Sequence, residues 1–172
     1  VSATFTDPGI LDTHTASWNW GDGSTSDGTV TESGGSGSVT GSHPYDLPGV
    51  YTISLAVTDN DGGSDTYTCT EYIVVYDPTG GFVTGGGWIY SPTGAYAADS
   101  TLTGKATFGF VSKYQKGATV PTGNTEFIFH VADFKFKSTS YEWLVIAGTK
   151  AMYKGTGVAN GQACKFILTA ID

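Results

Sequence analysis

Between residues 51 and 57 the chain reads "YTISLAV", which puts Tyr51, Ile53, Leu55 and Val57 on one face and Thr52, Ser54 and Ala56 on the other. Successive side chains of a strand point to opposite faces, so a repeat of two predicts a half-buried β-strand. Turn chemistry brackets it. "LPGV" before it offers Pro48 and Gly49 for a type II turn, with Pro fixing a negative φ and Gly accepting the positive one. "DNDGGSD" after it, Asp59 to Asp65, supplies a hairpin connection, and "TYTCTEYIVVY" is the returning strand. The same alternation gives Trp18 and Trp20 of "WNWGDG" a common, inward face. Gly21 to Gly23 then turn the chain and leave Asp22 at the tip.

The chain is rich in Gly, Thr, Ser, Tyr and Val and poor in Leu, Met, Glu and Lys. This disfavours helices and suits short strands joined by tight turns, so the expectation is all-β with no long helix. Charge divides the chain in two. Residues 1–77 hold eleven acids and no Lys, a net of −11; residues 78–172 hold eight Lys and five acids, a net of +3. "YDPTGG", Tyr76 to Gly81, interrupts the strand pattern at the same place, which predicts domains at 1–77 and 78–172. A chain with no Arg and an acidic half lacks the clustered cations that hold phosphate, so nucleic acid is not an expected partner. No segment is long and apolar enough to span a membrane. Cys69 and Cys164 fall in different halves. They are read either as two free thiols behaving as small hydrophobes or as a bridge between domains or chains.

"WNWGDG" followed by "HPYDLPGVYTISLAVTDNDGG" strongly resembles the PKD domain, an immunoglobulin-like β-sandwich. The residues that carry the resemblance are Trp18, Trp20, Gly21, Asp22, Gly23, His43, Tyr45, Pro48, Gly49, Tyr51 and Asp59. The family pattern begins with a strand that precedes "VSATFTDPG", so the resemblance implies a sandwich lacking its first strand.

The second half reads as further strands: a glycine-interrupted one in "GGFVTGGGWIYSPTGAY", then "GKATFGFVSKY", "TEFIFHVADFKF", "YEWLVIAG" and "ACKFILTAI". A glycine run weakens a strand unless backbone or a bulky side chain must come close. In "FIFHVADFKF" the phase jumps between Val131 and Phe134, which predicts a bulge or an edge crossing. "GGGWI", "GKATFGFVSKY" and "GTGVANG" are similar to an uncharacterised all-β module that follows PKD repeats in secreted and surface proteins of bacteria and archaea. The resemblance implies a second β-sandwich in tandem with the first, short of its last strand.

No G-x-S-x-G, H-E-x-x-H or C-x-x-C is present, and His14, His43 and His130 are scattered; the reading is non-enzymatic. Oxygen-only calcium sites use Asp carboxylates in turns, which makes Asp22, Asp59, Asp61 and Asp65 the candidate metal ligands. For a polysaccharide the candidates are Trp88, Tyr90 and Tyr96, with Trp143, set against the core reading that a Trp alternating with Ile or Leu receives. Together these features predict an extracellular or cell-surface structural or adhesive module. Its expected partners are other protein chains, through head-to-tail self-assembly driven by the opposite charges of the halves. The alternative is an accessory substrate-binding module of a secreted hydrolase.

Overall fold

A computed structural model describes the whole chain, residues 1–172. It is all-β, and its single helical piece is a three-residue 3-10 turn, His130–Ala132. The chain forms two compact units, Val1–Val75 and Tyr76–Asp172.

Unit 1 is a sandwich. One sheet is β1 (Ser2–Thr6), β5 (Ser36–Thr40) and β4 (Thr29–Ser33), in that order; the other is β3 (Thr25–Asp27), β2 (His14–Asn19), β7 (Ser54–Asp59) and β8 (Ser64–Thr68). A short ladder pairs β6 (Gly49–Tyr51) with β9 (Ile73–Val75). Side chains from both sheets meet in one core: Ala16, Trp18 and Leu55 from one, Val39 from the other, with Trp20 and Ile53 between. The inward alternation of Trp18, Trp20, Ile53 and Leu55 is as the sequence predicts, and both indoles are fully buried.

Two local expectations change. Gly49 does not take the positive φ of a type II turn; it lies in β6, where the Tyr51 ring sits so close that a Cβ would be 2.4 Å from Cζ. The returning strand breaks after Thr68, and Ile73–Val75 leaves the β7 ladder to pair with β6, so one sequence run serves two sheets.

Unit 2 is a six-stranded antiparallel meander: β10 (Phe82–Ser91), β11 (Gly104–Tyr114), β12 (Pro121–Phe129), β13 (Phe134–Ala147), β14 (Lys150–Ala159) and β15 (Gln162–Ile171). Each strand pairs with its sequence neighbour. The resemblance implies a second sandwich; here the layers that face each other are opposite walls of one rolled sheet, because neighbour-to-neighbour pairing keeps the ladder continuous. In a flat sheet β11 and β14 would lie about 14 Å apart, three strand spacings. Instead Phe110 and Tyr153 have ring centroids 6.2 Å apart, and the Tyr114 hydroxyl donates to the Leu144 carbonyl at 3.1 Å. The glycine run makes room for this inner wall, since a Cβ on Gly85 would be 2.5 Å from the Phe110 ring.

The phase jump in "FIFHVADFKF" is neither a bulge nor an edge crossing. The strand ends at Phe129, turns through His130–Ala132 and Asp133 (φ 46°), and returns with Phe134 opposite Phe129 and Phe136 opposite Phe127. The register shifts of this sheet lie further on, at Ser138/Ser140 and Tyr141/Trp143.

Both cores hold polar groups that must be satisfied. In unit 2 the buried Thr125 hydroxyl bridges the Tyr141 and Tyr153 hydroxyls at 2.8 and 2.9 Å; burial pushes the Tyr153 phenol up to about 12. Thr125→Val keeps the volume and strands the Tyr153 phenol, while Tyr141 keeps the Ser138 hydroxyl at 3.1 Å, so we expect unit 2 to lose about 1–3 kcal/mol in denaturant unfolding. Trp20→Ala should cost unit 1 about 3–5 kcal/mol and leave the unit 2 transition in place, which differential scanning calorimetry resolves.

Candidate functional site

The "GDG" corner is built from strand β2 running into a turn. Gly21 takes φ +81° with its Cα against the Thr52 carbonyl, a conformation and a clearance that admit no side chain. The turn presents Asp22 to two partners. Oδ1 accepts from the Ser24 amide and hydroxyl, and Oδ2 lies 2.7 Å from His43 Nε2. The Ser24 hydroxyl, then His43, hold this carboxyl well below the usual carboxylate range. His43 in turn stacks on Trp20 at 5.1 Å and meets Tyr45 edge-on at 4.8 Å, while the Tyr45 hydroxyl donates to the Trp20 carbonyl at 2.8 Å. Asp22, His43, Tyr45 and the Trp20 carbonyl are thereby engaged inside the fold, while the buried Trp18 indole N–H has no partner.

A different group of acids comes together at the opposite end of β2. His14 opens β2 and pairs in register with Asp59, the last residue of β7. That pairing brings the loop before β2 onto the "DNDGG" hairpin, so that carboxylate oxygens of Asp7, Asp12 and Asp59 lie within 4.8 Å of one another. Asp59 Oδ1 is used by the amides of Asp61 and Gly63, at 2.8 Å each, and Asp7 Oδ1 by the amide of Gly9. Burial, then the charges of Asp61, Asp7 and Asp59, raise the Asp12 carboxyl above its ordinary value. Beside them the buried His14 ring lies 2.7 Å from Glu32 and 3.6 Å from Asp7. Burial alone would pull His14 down; Glu32 and Asp7 outweigh it and hold it above 6.5.

Of the four acids named from sequence, Asp59 belongs to this cluster and Asp61 borders it. Asp65 accepts only from the next residue's amide, Thr66, and Asp22 is held by Ser24 and His43. Asp7 and Asp12 escaped sequence reading because strand register, rather than spacing along the chain, sets them beside Asp59. The donor set is all oxygen, the chemistry that calcium takes, and the repulsion at Asp12, which His14 offsets only in part, is what a hard cation would neutralise.

In unit 2, Trp88 and Tyr90 are 62% and 66% exposed, on the outer face of the edge strand β10, so the core reading of these two is corrected. Alternation marks a core face only when the sheet covers it, and β10 is exposed on both faces from Gly86 to Tyr90. Lys105 lies 5.2 Å over the Trp88 ring. Tyr96 instead packs edge-on against Phe129 and Phe134, at 5.8 Å each.

Residues 1–75 match the PKD domain family model, which spans unit 1 from end to end. No curated protein and no solved structure matches the chain.

Two outcomes are expected of the acidic corner. Calcium at about 1 mM should raise the unit 1 melting temperature over that in chelator by about 5 °C, for a site of about 0.1 mM affinity. Asp12→Asn should abolish that shift and also raise the melting temperature in chelator, whereas Asp22→Asn should leave the shift intact. Equal melting in calcium and chelator contradicts this. Second, a raised histidine pKa gives stability that is complete below 6.5 and lost as pH rises through the folded value. Unit 1 should therefore melt lower at pH 8.5 than at pH 6, and His14→Gln should flatten that dependence.

Proposed function

We propose that the chain is a non-enzymatic structural and adhesive module of an extracellular or cell-surface protein, joined to other protein chains. PKD domains are non-catalytic modules, generally of extracellular proteins. The observation that carries the reading is how the motif is used: Asp22, His43, Tyr45 and Trp20, the residues with the richest chemistry in unit 1, bond and stack to one another. They are spent on holding the "GDG" corner, which leaves unit 1 as a rigid support. Unit 2 follows it as a second support, read as the all-β module that its "GGGWI" and "GTGVANG" segments resemble.

A second reading, an accessory substrate-binding module of a secreted hydrolase, draws on one observation. Trp88 and Tyr90 stand side by side on one exposed face with Lys105 over the indole, and aromatic faces of this kind stack on sugar rings. Retention on chitin, cellulose and collagen separates the two. We expect no saturable retention on any of the three, with Trp88→Ala melting within about 0.5 kcal/mol of the parent because the side chain is exposed. Saturable binding that Trp88→Ala abolishes overturns the first reading and establishes the second.

A further inference from the structure

Register sets the outer rows of β10 and β11 side by side, since directly paired residues share a face. An aromatic of β10 stands opposite a lysine of β11 at each end: Tyr90 beside Lys105 and Phe82 beside Lys113. These two pairs are eight residues apart along the strand, about 26 Å. Trp88 belongs to the same row, and all three aromatic side chains are more than half exposed. Between the ends Gly86 pairs with Gly109, which leaves the backbone bare. Packing does not require either glycine. Neither has a positive φ; a Cβ on Gly109 would meet nothing within 4 Å, and one on Gly86 nothing closer than 3.4 Å. Glycines inside a strand that serve neither turn nor packing suit the close approach of a ligand.

The charge of this row is of one sign. Neither strand carries an Asp or Glu. Lys135, Lys137 and Lys154 are each matched by an acid, Asp133, Glu126 and Glu142, whereas Lys105 and Lys113 have no carboxylate partner. Glu126, opposite Gly109 on β12, is held by Lys137 at 3.0 Å. The Lys105 ammonium lies 5.2 Å over the Trp88 ring, so one unmatched cation sits at the aromatic surface itself.

The features together specify an extended ligand with flat-faced rings and negative groups. Sugar rings lay their C–H faces on aromatic rings, and carboxylate or sulfate groups on those sugars complement the lysines. A peptide read in this way needs pockets for alternate side chains, and this floor is flat. A single-stranded nucleic acid brings a charge with every nucleotide and takes a continuous cationic groove, whereas these two lysines stand far apart. We propose that the outer face of β10 and β11 binds a linear acidic polysaccharide running along the strands, with sugars on Trp88, Tyr90 and Phe82 and acid groups at Lys105 and Lys113. The proposal rests on the reading of Trp88 and Tyr90 as a sugar-stacking face and names its sugar class; neutral chitin and cellulose leave both lysines unmatched.

The test titrates the full chain, in chelator so that no cation bridges the polymer to the acids of unit 1. The probes are polygalacturonate, dextran sulfate, methyl-esterified polygalacturonate as the neutral counterpart, and single-stranded DNA. At least one of the two acidic polysaccharides should bind saturably, at least about tenfold tighter than the methyl ester, and more weakly as salt rises. The tighter of the two identifies the acid group. Trp88→Ala should weaken binding about tenfold. Lys105→Gln with Lys113→Gln should bring the acid down to the level of the ester and remove the salt dependence. Gly109→Val should block binding yet melt at or above the parent, because the added side chain meets nothing and suits a strand. Equal binding of acid and ester overturns the acidic class and leaves the sugar-stacking reading standing. Binding that survives Trp88→Ala, or that single-stranded DNA matches, overturns the proposal as unselective attraction to lysines. No binding of any polymer overturns it outright, and the readings of the chain are then decided on chitin, cellulose and collagen.

Discussion

The stack that runs from Trp18 through Trp20, His43 and Tyr45 to Tyr51 is the contact on which unit 1 depends. Successive rings lie 5.7, 5.1, 4.8 and 4.5 Å apart, and they link strand β2, the segment before β6, and β6 itself. Stacking of this kind adds to the area that the rings bury and fixes their geometry. A histidine in the middle of such a column needs its ring nitrogens satisfied. Asp22 holds Nε2 from the turn that ends β2, which ties the Trp pair and the "GDG" turn into one motif. The side chain that looked most available for chemistry is the one that locks the column.

Unit 2 solves the same burial problem with one sheet. Each of its six strands pairs with its sequence neighbour, so no strand crosses to a second layer, and the ladder rolls to cover its apolar face. The roll is closed on the inside by tyrosines, whose rings fill space and whose hydroxyls find Thr125 and the Leu144 backbone. The outer face carries lysines, the exposed pair Trp88 and Tyr90, and the exposed Ile167 and Ile171. Rolling does not remove the edges, and β10 and β15 remain unpaired on one side. Unpaired edges are a liability unless they are covered or used.

Much of this architecture is legible in the sequence. Alternation sets the inward faces of β2 and β7, and the turn residues place the corner at Asp22. What sequence hides is whatever depends on pairing between distant strands. Asp7 and Asp12 meet Asp59 only because His14 is in register with it. Trp88 reads as core because it alternates with Ile89, but β10 is an edge strand and neither residue is covered. The "FIFHVADFKF" run conceals a 3-10 turn because His130, Val131 and Ala132 carry none of the Gly or Pro that mark turns elsewhere in the chain. "TYTCTEYIVVY" conceals a change of sheet for the same reason.

The central claim is that the polar groups of the motif work as one structural unit. A double-mutant cycle on Asp22→Asn and His43→Gln, followed by denaturant unfolding of unit 1, tests it most directly. The account predicts strong non-additivity: either substitution alone destabilises unit 1, and the second adds little once the first is present. Additive losses, or a His43→Gln protein as stable as the parent, would contradict it.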